Sequence, residues 1–196
     1  ANTFSGLTWS LNYHTTRLKS SIGGSWNTYD GNHFGRVIWS QFTGNTEINH
    51  EWYRSKALKT DFNIYAKAEY LLATNLHAWA DLQYRRVYYS IDGIDDDQRD
   101  ITQQHTFNFF NPKAGLSIDL NTNQSMYFSL SVACREPNRD NFVDADPSKP
   151  APTPERLYDV EAGYTYNNSH VSLNANAYYM YYHNQLVLTG AINDVG

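Results

Sequence analysis

The feature that most constrains this chain is a two-residue alternation of apolar and polar side chains that recurs along most of it. Phe62, Ile64, Ala66, Ala68, Tyr70 and Leu72 are interleaved with Asn63, Lys67 and Glu69. Beyond Ala73-Thr74-Asn75, Leu76, Ala78, Ala80, Leu82 and Tyr84 are interleaved with His77, Asp81, Gln83 and Arg85. Ala114, Leu116, Ile118 and Leu120 lead through Asn121-Thr122-Asn123-Gln124 to Met126, Phe128, Leu130 and Val132. Val160, Ala162, Tyr164 and Tyr166 lead through Asn167-Asn168-Ser169 to Val171, Leu173, Ala175, Ala177, Tyr179 and Tyr181. A weaker pair joins Leu7, Trp9, Leu11 and Tyr13 to Leu18, Ile22 and Trp26 near Thr15-Thr16. Strand side chains point alternately to opposite faces, so this text describes a sheet apolar on one face and wetted on the other. It predicts about eight strands in four tight hairpins, with turn formers where the chain reverses. The expected strands include residues 62–72, 76–88, 114–120, 125–133, 160–166 and 171–182, with no helix longer than about two turns.

The links between the hairpins are of another kind. They run near Thr28–Thr60, Ser90–Gln104 and Arg135–Glu155, and are long and polar. One carries Asp95-Asp96-Asp97, another Pro147, Pro150, Pro152 and Pro154, and the first has room for its own hairpin around Gly44-Asn45. Short turns alternating with long links mark an outer-membrane β-barrel, with tight turns on the periplasmic side and long loops outside. A soluble sandwich has no reason to sort its connections by length. The rings agree: aromatics are 15% of the residues, with 16 Tyr, and Tyr84, Tyr88, Tyr164, Tyr166, Tyr179 and Tyr181 fall at the ends of apolar stripes. Amphipathic rings gather where hydrocarbon meets water. A row of Tyr on cross-strand pairs of a soluble sheet is the other reading.

Several classes are excluded. A net charge of −5, with no Lys/Arg cluster, gives no footprint for nucleic acid. The lone Cys134 excludes an internal disulfide and a multi-cysteine zinc site. No stretch is apolar enough for a transmembrane helix. The first strand runs toward a short turn and the last one leaves a short turn, so both ends are expected at the long-loop rim. A complete barrel of this type has both ends in the periplasm. Residues 1–196 are therefore expected to be a single internal segment of barrel wall, with signal peptide, plug and closing strands lying elsewhere.

Ser-Val-Ala-Cys-Arg-Glu-Pro-Asn-Arg-Asp-Asn-Phe (131–142) and Pro-Ala-Pro-Thr-Pro-Glu-Arg-Leu-Tyr-Asp-Val-Glu-Ala-Gly-Tyr-Thr-Tyr (150–166) narrow the reading. This run resembles the C-terminal half of TonB-dependent receptor barrels. In these a strand ends in an Arg-x-Pro-Asn-like corner, and Pro-Glu later opens a strand of the Tyr-x-x-Glu-x-Gly-Tyr type. The matching residues are Arg135, Pro137, Asn138, Pro154, Glu155, Tyr158, Glu161, Gly163 and Tyr164. Phe110 to Leu116 resembles a strand opening of the same barrels, and Tyr178 to Leu188 continues the match. The resemblance covers about half the chain closely and the rest by strand pattern. It implies a bacterial outer-membrane location and a parent that takes up a scarce nutrient: a ferric siderophore or other metal chelate, cobalamin, or a glycan fragment. It also implies membrane lipid, the receptor's own plug domain and a TonB-type energy transducer as partners, and no enzyme activity. The rival reading is a soluble or surface β-domain binding carbohydrate through Trp26, Trp39 and Trp52.

Of the charged groups, Arg135, Glu136 and Arg139 are the sharpest. They are either a contact to an anionic ligand, which guanidinium grips in two-pronged fashion, or a structural corner whose charges pair locally. His14, His50, His77, His105, His170 and His183 lack metal-ligand spacing and read as wetted residues. Asp92, Asp95, Asp96, Asp97 and Asp100 lack the spacing of a calcium loop and read as a solvated acidic loop. No catalytic constellation, metal site or cofactor is expected, and Gly23-Gly24 lies in a strand with no helix after it.

The faces should divide cleanly. Residues 62–72 of even number should share a face with Leu76, Ala78, Ala80, Leu82, Leu116, Ile118, Phe128 and Leu130, opposite Lys67, Glu69, Asp81 and Asp119. Such an apolar face exceeds what a soluble monomer leaves bare. It is expected to turn inward, to meet lipid or detergent, or to cause self-association.

Overall fold

The computed structural model describes residues 2–41, 47, 49–145 and 151–185. They form one sheet of eight antiparallel strands, each paired with its neighbours in chain order. The strands are β1 (Thr3–His14), β2 (Leu18–Arg36), β3 (Glu51–Ala73), β4 (Leu76–Gly93), β5 (Gln103–Asn121), β6 (Gln124–Arg135), β7 (Glu155–Asn167) and β8 (Ser172–His183). A single short helix, α1 (Arg139–Val143), is found among the described residues. This is the expected all-β up-and-down meander. Every expected strand range lies inside an observed strand except Val171, which stays in the last turn.

The tight turns follow from their asparagines. Asn168 Oδ1 accepts from the backbone N–H of His170 and Val171 at 2.8 and 2.7 Å, an Asx turn that reverses the chain into β8. Asn75 and Asn123 join each turn to the next hairpin. The Asn75 carbonyl accepts from Asp119 N–H at 2.8 Å while its side-chain amide donates to the Asp119 carbonyl at 3.0 Å. Asn123 treats Asn167 in the same way, at 2.8 and 2.7 Å. Each amide side chain thus acts as one more peptide unit and extends the ladder beyond the strand end.

The links are shorter than the alternation suggested. β2 runs on to Arg36 and β3 begins at Glu51, so much of 28–60 is strand. β5 begins at Gln103 rather than near Ala114. Backbone pairing needs no apolar stripe of fixed phase; the extensions mix polar residues with apolar ones at odd positions, such as Ala57, Phe107 and Phe109, which breaks the pattern of the even-numbered stripe. Cross-strand contacts hold them: Thr28 Oγ1 lies 3.4 Å from Thr60 Oγ1, and Lys56 Nζ lies 3.3 Å from Asp30. Gly44-Asn45 and the residues after Gln185 lie outside the described residues.

The chain forms two compact units. One comprises Ala1–Thr8, Ser25–Phe62 and Arg86–Phe107; the other comprises Trp9–Gly24, Asn63–Arg85 and Asn108–Gly196. In the first, Ala57, Val87, Tyr89, Ile91 and Ile101 are buried. In the second, burial is sparse, with Phe109 and Phe142 the buried large apolar residues among those described.

The register fixes the faces. Leu116 pairs with Phe128, Ala114 with Leu130, Leu130 with Val160 and Tyr158 with Tyr181, all on the apolar face. Ser117 pairs with Tyr127, Ser129 with Glu161 and Glu161 with Tyr178 on the other. The apolar face does not turn inward. Ile64, Leu82, Leu116 and Leu130 are 38%, 48%, 47% and 49% exposed, because a single sheet offers them no second layer. Lys67 and Asp81 share the opposite face, 3.5 Å apart.

Candidate functional site

On the polar face of the larger unit, glycines let aromatic rings lie flat against the wall. Gly163 sits under Tyr127, where an added Cβ would come within 2.1 Å of the ring. Gly23 sits under Tyr65 in the same relation, with 2.5 Å to the hydroxyl oxygen, and Gly115 sits under Trp79. The Tyr127 hydroxyl then donates toward Asn176 Oδ1 at 2.7 Å, with Glu161 at 3.3 Å. Rings laid flat leave room above them for solvent or another chain segment.

Several charges on this face are paired. Glu69 meets Lys19 at 3.2 Å and the His77 ring at 3.4 Å, and Lys67 meets Asp81. Lys19, Lys67, Glu69 and Asp81, with Asn12, His14, Ser21 and Trp79, line an open cavity of about 360 Å³. Nearer the links, Arg85 donates from both terminal nitrogens to Glu136 at 2.8 and 3.0 Å and lies 6.0 Å from the Phe109 ring centroid. The Glu136 side chain is only 8% exposed, so this fork is a desolvated pair of fixed geometry.

Pro112 lies inside β5 and brings no N–H to the ladder. Beside it, the Asn111 side chain bridges both neighbouring strands. Its Oδ1 accepts from Cys134 N–H at 3.0 Å, and its amide donates to Gln83 Oε1 at 3.0 Å.

The three candidate residues are brought to one corner but not to one another. Arg135 closes β6 and binds Glu155, the first residue of β7, at 3.1 Å. Glu136 is taken by Arg85. Pro137 is buried, and Asn138 caps α1 through a reciprocal pair of bonds with Asn141 at 2.8 and 2.9 Å. Arg139 opens the helix and reaches Asp140 at 3.9 Å, while Phe142 anchors it in the interior. Among the described residues no group of three or more His, Cys, Asp and Glu side chains is placed to hold a metal ion.

In the acidic link Asp92, Asp96, Asp97 and Asp100 are exposed, and Asp95 alone departs from a solvated loop. Asp95 is buried, and its carboxylate takes the Arg99 backbone N–H at 2.8 Å and the guanidinium at 2.9 and 2.6 Å. Burial pushes its pKa up, but the bonds from Arg99 outweigh that and hold it below the ordinary carboxylate value. Trp52 Nε1 donates to the Asp96 carbonyl at 2.8 Å, tying this link to β3. The bond fixes the Trp52 ring, which stays about half exposed.

The TonB-dependent receptor-like β-barrel family model matches residues 1–196, the whole chain. The chain belongs to the TonB-dependent receptor β-barrel family. Members of this family are bacterial outer-membrane proteins, transporters of siderophores and metals, so the apolar face is the wall's lipid side and the polar face its lumen side. Solved structures agree on the fold. The copper transporter OprC superposes with a TM-score of 0.74 at 14% identity, over 90% of this chain and 29% of that one. The FrpB iron transporter from Neisseria meningitidis (F3-3 variant) gives 0.66 at 16%, over 91% and 28%. The closed form of the ferric-catecholate import receptor Fiu from K12 E. coli gives 0.65 at 14%, over 91% and 30%. The chain thus spans less than a third of each of these three structures. A search of curated protein sequences returned no match.

With the receptor barrel established, the residues that sequence reasoning missed stand out. Arg85 and Asn111 organise the lumen side of the corner. Arg85 sits at a polar position of a strand whose pattern was read correctly, and Asn111 in the part of β5 that the alternation did not reach; the partners of both are far away in the chain.

Proposed function

We propose that this chain is the wall segment of an active-uptake receptor for a scarce nutrient: a ferric siderophore or other metal chelate, cobalamin, or a glycan fragment. The observation that carries the reading is the sheet's division into a lipid-side face with no charge over most of its height and a lumen side of paired charges. In this reading the receptor's own plug occupies the lumen and a TonB-type transducer supplies the energy. The test is to express the receptor carrying this chain in a host lacking its own uptake receptors. Accumulation of a labelled ferric chelate, cobalamin or oligosaccharide should require both the receptor and the transducer; no accumulation of any of these sinks the reading.

Within that receptor, Arg135 is the member of the corner best suited to an anionic ligand. Its side chain is 64% exposed, so an incoming carboxylate or phosphate reaches it while Glu155 keeps it oriented. Glu136 and Arg139 then act as the frame of the corner. Arg135→Gln should raise the half-saturating concentration of an anionic substrate and leave receptor abundance unchanged. Unchanged uptake would remove Arg135 from the ligand path.

A further inference from the structure

One residue past the end of β6, Glu136 lies in the fork of Arg85 on β4, and β5 stands between those two strands in the sheet. The bridge crosses β5 at Phe109, a buried ring whose centroid lies 6.0 Å from the guanidinium carbon of Arg85. The chain leaving β6 therefore bends across the lumen side of its own sheet. Local sequence makes that bend stiff. Pro137 is buried; its ring fixes its own φ and biases Glu136 toward extended backbone. Asn138 then caps α1, and Phe142 anchors the helix. Glu136 is thus pinned both by its side chain and by the residues that follow it.

Arg135 directly precedes this pinned residue. Its register partner on β7 is Glu155, and its Nη2 donates to Glu155 Oε2 at 3.1 Å. Among the described residues that is its one side-chain bond, so its other N–H donors remain unpaired. A guanidinium held at one nitrogen and open elsewhere offers a fixed set of donors to a planar two-oxygen anion. Its direction depends on the backbone that carries it, and Arg85 holds that backbone at the very next residue.

We propose that Arg85 is a positioning residue for anion capture at Arg135: its fork on Glu136 sets the direction in which Arg135 presents its open donors. The proposal rests on the reading of Arg135 as the ligand's anion contact. Arg85 does not touch the ligand, because Glu136 fills its fork and the Glu136 side chain is only 8% exposed. Its contribution is preorganisation, which lowers the cost of ordering the corner when an anion binds.

The experiment uses the receptor carrying this chain, purified in detergent, with citrate as the anion probe. Phenylglyoxal modifies accessible guanidinium groups, and mass spectrometry reads its attachment at Arg135. Citrate should shield Arg135 in wild type. In Arg85→Gln the same shielding should need about tenfold more citrate, the worth of one well-placed charge-assisted bond. Glu136→Gln, close to the native shape and so less exposed to misfolding, should shift the curve in the same direction. Arg85→Lys keeps the charge without the fork and should resemble Arg85→Gln, while Lys56→Gln should match wild type. Shielding curves in Arg85→Gln and Glu136→Gln that superimpose on wild type overturn the proposal and leave Arg135 as a ligand contact. Wild-type behaviour of Arg85→Lys overturns it too, since charge without the fork would then suffice. No shielding of Arg135 in wild type at any citrate concentration removes Arg135 from the ligand path, and the role of Arg85 with it.

Discussion

On the lipid side of the sheet, Ile64, Leu82, Leu116 and Leu130 are left about half exposed with no second layer over them. On the lumen side, Lys19, Glu69, Lys67, Asp81, Arg85 and Glu136 are each matched to a partner, and Gly23, Gly115 and Gly163 are matched to rings. The first face is specified by what it lacks: any apolar residue serves there, because fluid hydrocarbon adapts to it. The second is specified by pairs, because water and polar groups reward particular geometry. Substitutions should therefore act by chemistry on the lipid side and by shape or partner on the lumen side.

The largest effect should come from placing a charge in the apolar band. Leu130→Arg should cost up to about 2–4 kcal/mol of membrane stability, the price of a cation near the bilayer midplane. Ser129→Arg, its neighbour on the lumen side, should cost far less. Urea unfolding of the receptor carrying this chain in vesicles measures both, and equal losses would break the distinction between faces.

Next is shape. Gly163→Val drives side-chain carbon into the Tyr127 ring and should cost about 1–3 kcal/mol by overpacking. Adding Tyr127→Ala should recover part of that loss. A double variant no better than Gly163→Val alone would show that the ring is not what the glycine accommodates.

A smaller loss is expected at the turns. Asn123→Ala removes the amide that extends the ladder to Asn167 and should cost about 1 kcal/mol. Faster amide hydrogen exchange at Asn167 is the signature to look for; unchanged exchange there would mean the backbone bond alone suffices.

The smallest effect is a pH dependence confined to the link between β4 and β5. Because the folded-state pKa of Asp95 lies below the ordinary value, its ionised form stabilises the link above the ordinary carboxylate pKa. That contribution is lost as pH falls through the lowered value. Hydrogen exchange across 94–102, corrected for intrinsic rates, should separate wild type from Asp95→Asn at neutral pH and converge in acid. A difference that persists in acid would mean that shape, not charge, holds the link.

Much of this fold was legible because strand periodicity is local. Phe62 to Leu72 and Met126 to Val132 announce their faces within a few residues, and Asn121 to Asn123 announces the turn. The strand extensions at Thr28–Arg36 and Gln103–Phe109 were not legible: the first mixes polar residues on both faces, and in the second Phe107 and Phe109 alternate in the phase opposite to Ala114–Leu120, although the backbone ladder continues. The corner at Arg135–Arg139 was half legible. Its composition flagged a charged site, but nothing nearby in the sequence tells which carboxylate each arginine takes.

The sequence by itself determined the class of sheet, the order of hairpins and which residues face lipid, because these depend on neighbours two residues apart and on turn chemistry. Only the tertiary structure decided that Glu136 belongs to Arg85, that Asn111 bridges Cys134 and Gln83, and that Asp95 is buried rather than solvated. The first two join different strands, and their partners meet only once the sheet has set its register. The third is a short-range bond from Arg99, but its desolvation depends on how the link packs in the fold. Register and burial belong to the assembled backbone, and no local pattern encodes them.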